Sequence, residues 1–548
     1  MIDGLPAKPA FSSKAPAALV PLAGFIVVAV FFHAQILGHG QLLFGNRYDA
    51  VIEAALLEHW WNALRGLQHW SDAALFYPYI GTLGYNDAFF LYGLLYAPFR
   101  AMGLDPFLAM EGVNVTIKFV GYFASYALYR RLISPSPLWA VVAATLFTLN
   151  HDNLLASGHA QVFSVAFAPI AILLLHAARA AWRAGQFEKC IGCGTGLGLL
   201  IGAWLMTGFY MAWFFIFFTS IALALYALPR LGILRSRLRP PSAREVYAGV
   251  AVMIVAALAL LPFLMLYLPG WHETGGHDYS YALFYTPTPI DIVSLPPTHW
   301  LRDALPSWLS DILPAGAPRF ASTTLMPILL ILFVGAVFDA CRARTPRWLQ
   351  AVTMACLLTL ILVMQWHGVS GWYAVYHLVP GAAGLRVISR LILFLSFPLT
   401  IVVVRKAEGM TAKWPRWACV LLIAALLAEE IDLSPVATLD RQQALAEATV
   451  PPPPASCASF YVSARDDSTR GLVGATFPHN VSAMMIAQLV HIPTLNGIAS
   501  FTPPGAGLND PLAPDYEPRV EAYITAHHLT HVCKLDLHNK VWQEKISP

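Results

Sequence analysis

Charged side chains are scarce in this sequence. Only 12% of its 548 residues are Asp, Glu, Lys or Arg, whereas 57% are hydrophobic, and the mean hydropathy is +0.59. An ordinary soluble domain has about 25% charged residues. So little charge cannot cover the surface of one soluble core of this size. The composition therefore excludes a soluble globular protein and predicts an α-helical polytopic membrane protein.

The sequence also lacks a large charge excess and a dense set of cysteines. The formal net charge is +3, from 34 Lys and Arg against 31 Asp and Glu. This balance argues against nucleic acid as a partner, because binding it requires a basic face. Seven cysteines in 548 residues are too few and too scattered for a small disulfide-stabilised fold.

Long apolar runs predict the membrane-crossing segments. The first, at 17–37, is too long for a signal-peptide core and is read as an uncleaved span. Ten further runs are predicted to cross, at 108–129, 137–150, 159–181, 192–206, 209–229, 246–268, 323–340, 350–366, 389–404 and 417–431. Together they predict about eleven spans.

The distribution of Lys and Arg predicts the orientation. The basic clusters lie in every second loop between the predicted spans. The positive-inside rule therefore places these loops and the N-terminus in the cytoplasm. The clusters lie at 130–131, 183–189, 230–244, 342–347 and 405–416. The alternation requires that the short apolar run at 87–103 does not cross. A first external loop is therefore expected at 38–107, with helices lying at the membrane interface.

With eleven spans and the N-terminus in the cytoplasm, residues 432–548 are predicted to lie on the outer side of the membrane. This tail is much less apolar than residues 1–431 and is predicted to form a small mixed α/β domain. Strand-like sequence occurs at 460–462 and 532–537, and a helix is expected at 484–490.

The tail contains Cys457 and Cys533. Two cysteines in one external domain favour a disulfide. The alternative is two unpaired buried thiols.

Asp49 follows the first span, where the membrane meets the outer compartment. It precedes an amphipathic helix predicted over 51–67, whose tryptophans suit the membrane interface. Asp49 is interpreted as a catalytic or substrate-orienting carboxylate. The alternative is an N-cap of that helix, and one residue can serve both roles.

The short second external loop has three titratable side chains, His151, Asp152 and His159. A plain turn is the alternative interpretation, since Asn, Asp and Gly are common turn residues. A carboxylate here could face Asp49 across a cleft and serve metal binding or acid–base chemistry.

The long loop at 269–322 contains Glu273 and Tyr279. A zinc motif is rejected there, because His272 and His277 are five residues apart and two glycines between them would break the helix. A substrate-facing loop whose tyrosines stack on sugars or lipid headgroups is expected. An interfacial aromatic belt is the alternative.

Two pairs of charged residues lie at spacings typical of one helical face. Arg386 and Arg390 occur at i and i+4 near the outer boundary of the tenth span. They could hold a lipid phosphate or simply snorkel. Glu111 and Lys118, seven apart in the second span, are expected to form a structural ion pair.

The layout resembles the GT-C superfamily of integral-membrane glycosyltransferases, and more narrowly the YfhO-like bacterial membrane proteins. The resemblance covers most of the chain but rests on architecture more than on sequence identity. Its short motifs lie at 45–49, 76–78, 158–159, 384–390 and 491–497.

The resemblance implies an inverting transferase that moves a sugar from a polyprenyl-phosphate donor to a glycan, lipid or protein of the cell envelope. Asp49 would be the catalytic base, and Asp152 would be the second-loop carboxylate. Arg386 and Arg390 would face the lipid phosphate. The other residues expected to bind substrate are His151, His159, Glu273 and Tyr279.

A divalent cation, held by Asp49 and Asp152, is the one cofactor considered. Residues 151–153 read His-Asp-Asn rather than the family's Asp-x-Asp, which puts a metal requirement in question.

The implied location is a bacterial inner membrane, with the N-terminus inside, the C-terminal domain in the periplasm and membrane lipid as a partner. Two other functions stay open. A lipid-linked-sugar flippase or transporter would depend on Glu111 and Lys118. A non-catalytic envelope scaffold would depend on neither these groups nor the loop residues.

Overall fold

The computed structural model describes residues 19–152, 158–230, 240–296, 299–304, 323–432, 437–465 and 471–544. Residues 17–18 of the first predicted span and 231–239 of one basic cluster lie outside the described residues. The described helices are α1 (Leu19–Phe31), α2 (His33–Leu37), α3 (Asp49–Leu64), α4 (Phe90–Ala101), α5 (Pro106–Leu128), α6 (Pro137–Leu149), α7 (Phe167–Arg183), α8 (Phe187–Leu205), α9 (Phe209–Ala227), α10 (Ala243–Thr274), α11 (Tyr279–Phe284), α12 (Pro289–Val293), α13 (Trp300–Ala304), α14 (Pro327–Cys341), α15 (Arg347–Val363), α16 (Trp372–Leu378), α17 (Arg390–Thr411), α18 (Arg416–Glu430), α19 (Arg441–Ala448), α20 (Gly471–Val490) and α21 (Tyr516–Ala526).

The described strands are short and form three small sheets. They are β1 (Leu42–Phe44), β2 (Gln365–Trp366), β3 (Val369–Ser370), β4 (Thr438–Asp440), β5 (Ser459–Val462), β6 (Val532–Asp536) and β7 (Val541–Glu544). β1 pairs with β4, β2 pairs with β3, and β5, β6 and β7 form a three-stranded sheet.

A helix occupies each of the eleven runs predicted to cross the membrane. Three helices in the described part of the chain are long and apolar enough to span it: Ala160–Arg183, Phe209–Ala227 and Ala243–Thr274. The first of these is α7 together with the 3-10 turn that precedes it. These helices support the membrane class, while the number of eleven spans stays a prediction.

Capping residues mark the start of α5 and both ends of α10. Asp105 accepts hydrogen bonds from two backbone N–H groups of α5, and Pro106 is its first residue. Ser242 and Glu245 form a capping box at the start of α10, and Gly275 ends it at φ +72°. These are the residue types preferred at helix ends.

The helix predicted over 51–67 corresponds to α3, most of which is buried against other helices. α3 packs against α4 and α5 on one side and against α20 on another. Glu58 on α3 is 2% exposed and accepts hydrogen bonds from Arg100 Nε (2.8 Å) and Tyr96 Oη (2.6 Å) of α4. Polar side chains tolerate burial when neighbours supply such partners, and those neighbours are remote in sequence.

Residues beyond α18 pack onto the first external loop. β4 pairs antiparallel with β1, with Leu439 opposite Leu43. Further along, Tyr77 N–H donates to the carbonyl of Thr494, and Thr494 N–H donates to the carbonyl of Ala74, both at 3.0 Å. The tail is therefore hydrogen-bonded directly to residues 42–44 and 74–77.

The tail also contains the predicted α/β unit. β5 and β6 run parallel, β7 is antiparallel to β6, and α20 packs on β5. Cys457 and Cys533 form a disulfide with their Cα atoms 5.6 Å apart.

Glu111 and Lys118 do not pair, so this prediction was wrong. Glu111 Oε2 accepts a hydrogen bond from Phe44 N–H at 3.1 Å. Lys118 Nζ lies 3.6 Å from the centre of the Phe31 ring and donates to the carbonyl of Thr148 at 3.3 Å. The seven-residue spacing puts both groups on one side of α5, but different neighbours satisfy each.

The ion pair between α3 and α4 yields a stability prediction. Replacing Arg100 with Met leaves the carboxylate of Glu58 buried without its cation. Removing one partner of a buried pair costs about 3 kcal/mol or more. We expect a clearly lower melting temperature for Arg100→Met in detergent. Lys413→Met, which removes an exposed cation, is the control, and equal melting of both variants and the parent would contradict the prediction.

Candidate active site

Asp49 is the first residue of α3 and does not cap it. The amide oxygen of Asn46 instead accepts hydrogen bonds from the N–H groups of Tyr48 and Asp49, each at 2.8 Å. The Asn46 Nδ2 group donates to Asp49 Oδ2, also at 2.8 Å. The side chain of Asp49 remains 31% exposed. Its carboxylate is thus held in place while staying accessible.

The second external loop meets Asp49 through His159. His159 Nε2 lies 3.8 Å from Asp49 Oδ2. Gly158 makes this approach possible, since its φ is +94° and an added Cβ would lie 2.1 Å from Asn46 Nδ2 and 3.3 Å from Asp49 Oδ2. Only a residue without a side chain fits that position, which no pattern in the sequence indicates by itself.

Arg386 and Arg390 do not share a helical face, in contrast to the prediction. α17 begins at Arg390, and Arg386 belongs to the preceding loop. The backbone N–H of Arg386 donates to Tyr210 Oη at 2.8 Å instead of forming a helical hydrogen bond. The guanidinium of Arg390 lies 5.0 Å from the centre of the Tyr210 ring. Tyr210 of α9 therefore brings the two arginines together.

Aromatic rings surround the side chain of Arg386. Its guanidinium lies 5.8 Å from the ring centre of Tyr281 and 5.9 Å from that of Tyr285. His277 is nearby and stacks on Phe501 of the tail at 4.3 Å between ring centres. Burial and the positive charge of Arg386 lower the pKa of His277 to about 4, so this imidazole is neutral at pH 7.

Asp87 connects the Asp49–His159 pair with the residues around the two arginines, and no sequence pattern pointed to it. Its Oδ1 accepts a hydrogen bond from Phe209 N–H at 3.0 Å. Burial raises the pKa of Asp87, whereas that N–H, Arg390 and the side chain of Gln161 act in the opposite direction. Gln161 is only two residues from His159. The surroundings of Asp49 and those of the arginines therefore adjoin. A single Asp in a loop gives no sequence signal of this role.

His151 and Asp152 lie in a separate buried group. His151 Nε2 is 3.1 Å from Asp152 Oδ1, and His151 Nδ1 is 3.1 Å from Glu430 Oε2 of α18. Both residues of the loop are 1% exposed. Burial alone would lower the pKa of His151, but the two carboxylates raise it to about 10. Within the described residues, no hydrogen bond or ion pair joins Asp152 to Asp49.

Glu273 and Tyr279 connect the fourth external loop to its neighbours. Glu273 accepts a hydrogen bond from the hydroxyl of Tyr85 in the first loop. The ring of Tyr279 packs edge-on against Tyr373 at 5.1 Å and Tyr376 at 5.3 Å. Tyr376 also donates a hydrogen bond to the carbonyl of His277 at 2.6 Å, so these contacts place Tyr279 beside the His277 segment.

The described residues do not form a metal site. No group of three or more His, Cys, Asp and Glu side chains among them has an arrangement that could hold an ion. Asp49 and His159 would supply two ligands, while Asp152 is paired with His151. Asn153 lies outside the described residues. We therefore derive no chemical step through a metal.

Sequence comparisons find no match: neither a protein-family model nor a curated protein resembles this chain closely enough. The fold does match solved structures. The crystal structure of the oligosaccharyltransferase of Archaeoglobus fulgidus in the apo form aligns with a TM-score of 0.51 at 12% identity, covering 94% of this chain and 69% of that one.

Two further structures align less well. The same oligosaccharyltransferase in complex with Zn and sulfate has a TM-score of 0.44 at 13% identity, covering 87% of this chain and 62% of that one. The arabinofuranosyltransferase AftD from Mycobacteria has a TM-score of 0.45 at 13% identity, covering 82% and 30%. This chain is thus much shorter than AftD.

The alignment with the apo oligosaccharyltransferase supports the fold assignment. The chain has the GT-C fold, the class of membrane-protein fold that the sequence resemblance implied. The narrower resemblance to YfhO-like proteins stays a prediction.

The environment of His277 yields a prediction about pH. The pKa of this imidazole is 6.5 in the unfolded chain and about 4 in the folded protein. At pH values between the two, the unfolded chain binds a proton there and the folded chain does not. Acidification through this pH range therefore lowers the stability of the fold. Replacing Arg386 with Gln removes a repelling charge and should raise the pKa of His277 toward 6.5. A pH titration of the imidazole resonance by NMR would measure it. Arg390→Gln is the control, and no rise specific to Arg386→Gln would contradict the assignment.

Proposed function

We propose that the protein is an extracytoplasmic GT-C-type glycosyltransferase that moves a sugar from a polyprenyl-phosphate donor to an envelope glycan, lipid or protein. One observation carries the proposal. The accessible carboxylate of Asp49 lies against His159, and Gln161 and Asp87 connect this pair to the cluster around Arg386. This arrangement supports Asp49 as the base and Arg386 as the phosphate-binding cation of one site.

Asp49 is proposed as the catalytic base. Its carboxylate takes the proton from an acceptor hydroxyl, and the hydroxyl oxygen attacks the anomeric carbon of the donor. A new glycosidic bond forms as the bond from that carbon to the phosphate oxygen breaks, and the phosphate keeps the electron pair. Attack opposite the leaving group inverts the configuration. Asn46 holds the carboxylate in the orientation that the transfer requires.

Arg386 is proposed to bind the donor phosphate. Among the described residues its guanidinium contacts rings but no carboxylate, so its N–H groups can form charge-assisted hydrogen bonds. The negative charge on the phosphate increases as the sugar leaves, and a fixed cation stabilises that state. Arg390 interacts with Asp87 and is proposed to position this cluster.

The enzyme reading is favoured over transport by the polar groups inside the spans. A transporter would be expected to use Glu111 and Lys118 as functional groups, yet these bind a backbone N–H and a backbone carbonyl within the fold. The positive-inside alternation supports an inner-membrane location with the tail in the periplasm, so the donor would enter from the outer leaflet.

Replacing Asp49 with Asn tests the base directly. The amide keeps the shape of the side chain but cannot take a proton at neutral pH. We expect kcat for sugar transfer to fall about a hundred- to ten-thousand-fold, with donor binding little changed. The assay follows transfer from a polyprenyl-phosphate sugar by the purified protein. Asp72→Asn in the same loop is the control. Undiminished transfer by Asp49→Asn would exclude this residue as the base.

Gly158 offers a second test. Replacing it with Ala drives a methyl group into Asn46 and Asp49, and displacing the carboxylate by about 1 Å should lower kcat on the order of a hundredfold. Gly66→Ala is the matched control, because Gly66 also has a positive φ (+74°) but open space around it. If both variants lost the same activity, backbone strain rather than displacement of Asp49 would be responsible.

A further inference from the structure

A large cavity lies between the membrane helices. It has a volume of about 670 Å³ and is enclosed by α5, α7, α9, α15 and α17. This volume is within the range of roughly 300–1,000 Å³ typical of ligand sites. Most of its wall is apolar, including Leu132, Phe215, Leu223, Phe394 and Phe397.

The basic edge of the cavity is far from Asp49 and His159. Asp49 and His159 lie where the segment Ala160–Arg183 begins, whereas the cavity is lined by the second half of that segment, from Ile172 to Arg183. A helix of 24 residues is roughly 36 Å long, about the thickness of a bilayer core. The predicted cytoplasmic clusters at 130–131 and 342–347 flank this end. The basic edge of the cavity therefore lies toward the leaflet opposite the one proposed to supply the donor.

One edge of the cavity is positively charged. His176, Arg179 and Arg183 are three and four residues apart on α7, and all three border the cavity. No Asp or Glu is part of its lining. Among the described residues, no carboxylate pairs with either arginine. Trp348 and Tyr226 lie at the same level, as aromatic residues do at a membrane interface.

Arg179 and Arg183 are exposed, as snorkelling side chains are, and they also border the cavity. A snorkelling side chain covers apolar surface with its aliphatic part and extends its charge to water. Here the cations border a concave apolar space formed by five helices. Basic pockets between membrane helices on the cytoplasmic side bind anionic headgroups.

We propose that this cavity binds an anionic phospholipid of the inner leaflet. An acyl chain occupies the apolar space between α9 and α17, and the phosphate contacts Arg179 and Arg183. The site is separate from the proposed donor site and does not depend on the proposed transfer reaction.

The experiment measures lipid binding by the full chain. Protein purified and delipidated in a neutral detergent is titrated with phosphatidylglycerol or with zwitterionic phosphatidylcholine, and bound lipid is counted by native mass spectrometry. Each cation near a phosphate contributes about 1 kcal/mol, or about fivefold. We expect Arg179→Gln/Arg183→Gln to weaken phosphatidylglycerol binding roughly thirty-fold. Binding of phosphatidylcholine should barely change.

A cation control and a second, cavity-filling test with its own control accompany the double arginine variant. Arg342→Gln/Lys413→Gln removes two cations of the predicted cytoplasmic face that do not line the cavity, and it should bind as the parent does. Ala222→Trp fills the cavity and should reduce binding of both lipids. Ala224→Trp, on the exposed side of the same helix, should not.

The proposal fails on any of three results. The double arginine variant could bind phosphatidylglycerol as tightly as its cation control. Ala222→Trp could bind both lipids as Ala224→Trp does. Polyprenyl phosphate could displace phosphatidylglycerol from the parent at equal concentration, which would assign the cavity to the carrier lipid instead.

Discussion

The position of the proposed base depends on how firmly α3 is held. On one side Glu58 is bound by Arg100 of α4. On the other, Asn62 Nδ2 donates to the backbone carbonyl of Gln488 in α20 at 2.9 Å. Both contacts are buried, and a buried polar group that loses its partner costs free energy. Since Asp49 is the first residue of α3, these two contacts determine where its carboxylate lies.

The candidate site extends from the start of α3 through contacts between neighbouring loops. The second loop reaches Asp49 only through Gly158, and Gln161 then meets Asp87 of the first loop. The tail adds Phe501, whose ring covers His277. Four separate parts of the chain thus complete one external face, so the tail is a structural component of the proposed site. A tail folded elsewhere would leave His277 open to water.

The ionisable side chains outside the candidate site also have identifiable partners. His151 balances two carboxylates in a buried cluster, and the neighbouring Glu429 accepts the N–H groups of Ile328 and Leu329 at the start of α14, each at 2.8 Å. These ionisable groups connect helix ends rather than line a cleft. Asp152 was expected to act with Asp49, yet its partner is His151. The prediction of a two-carboxylate metal pair had no means of anticipating Glu430.

Composition and local pattern by themselves determined the membrane class, the approximate positions of the helices in the eleven apolar runs, the strand-like segments of the tail and the position of Asp49 just after the first apolar run. Those features depend on the residues present within one segment. Only the tertiary structure decided that α3 is buried, that Arg386 and Arg390 meet through Tyr210, and that Asp87 links the two groups. Each of these depends on segments far apart in sequence. Hydrophobic periodicity reports which side of a helix is apolar, but the partner of a polar side chain is set by the packing of distant helices.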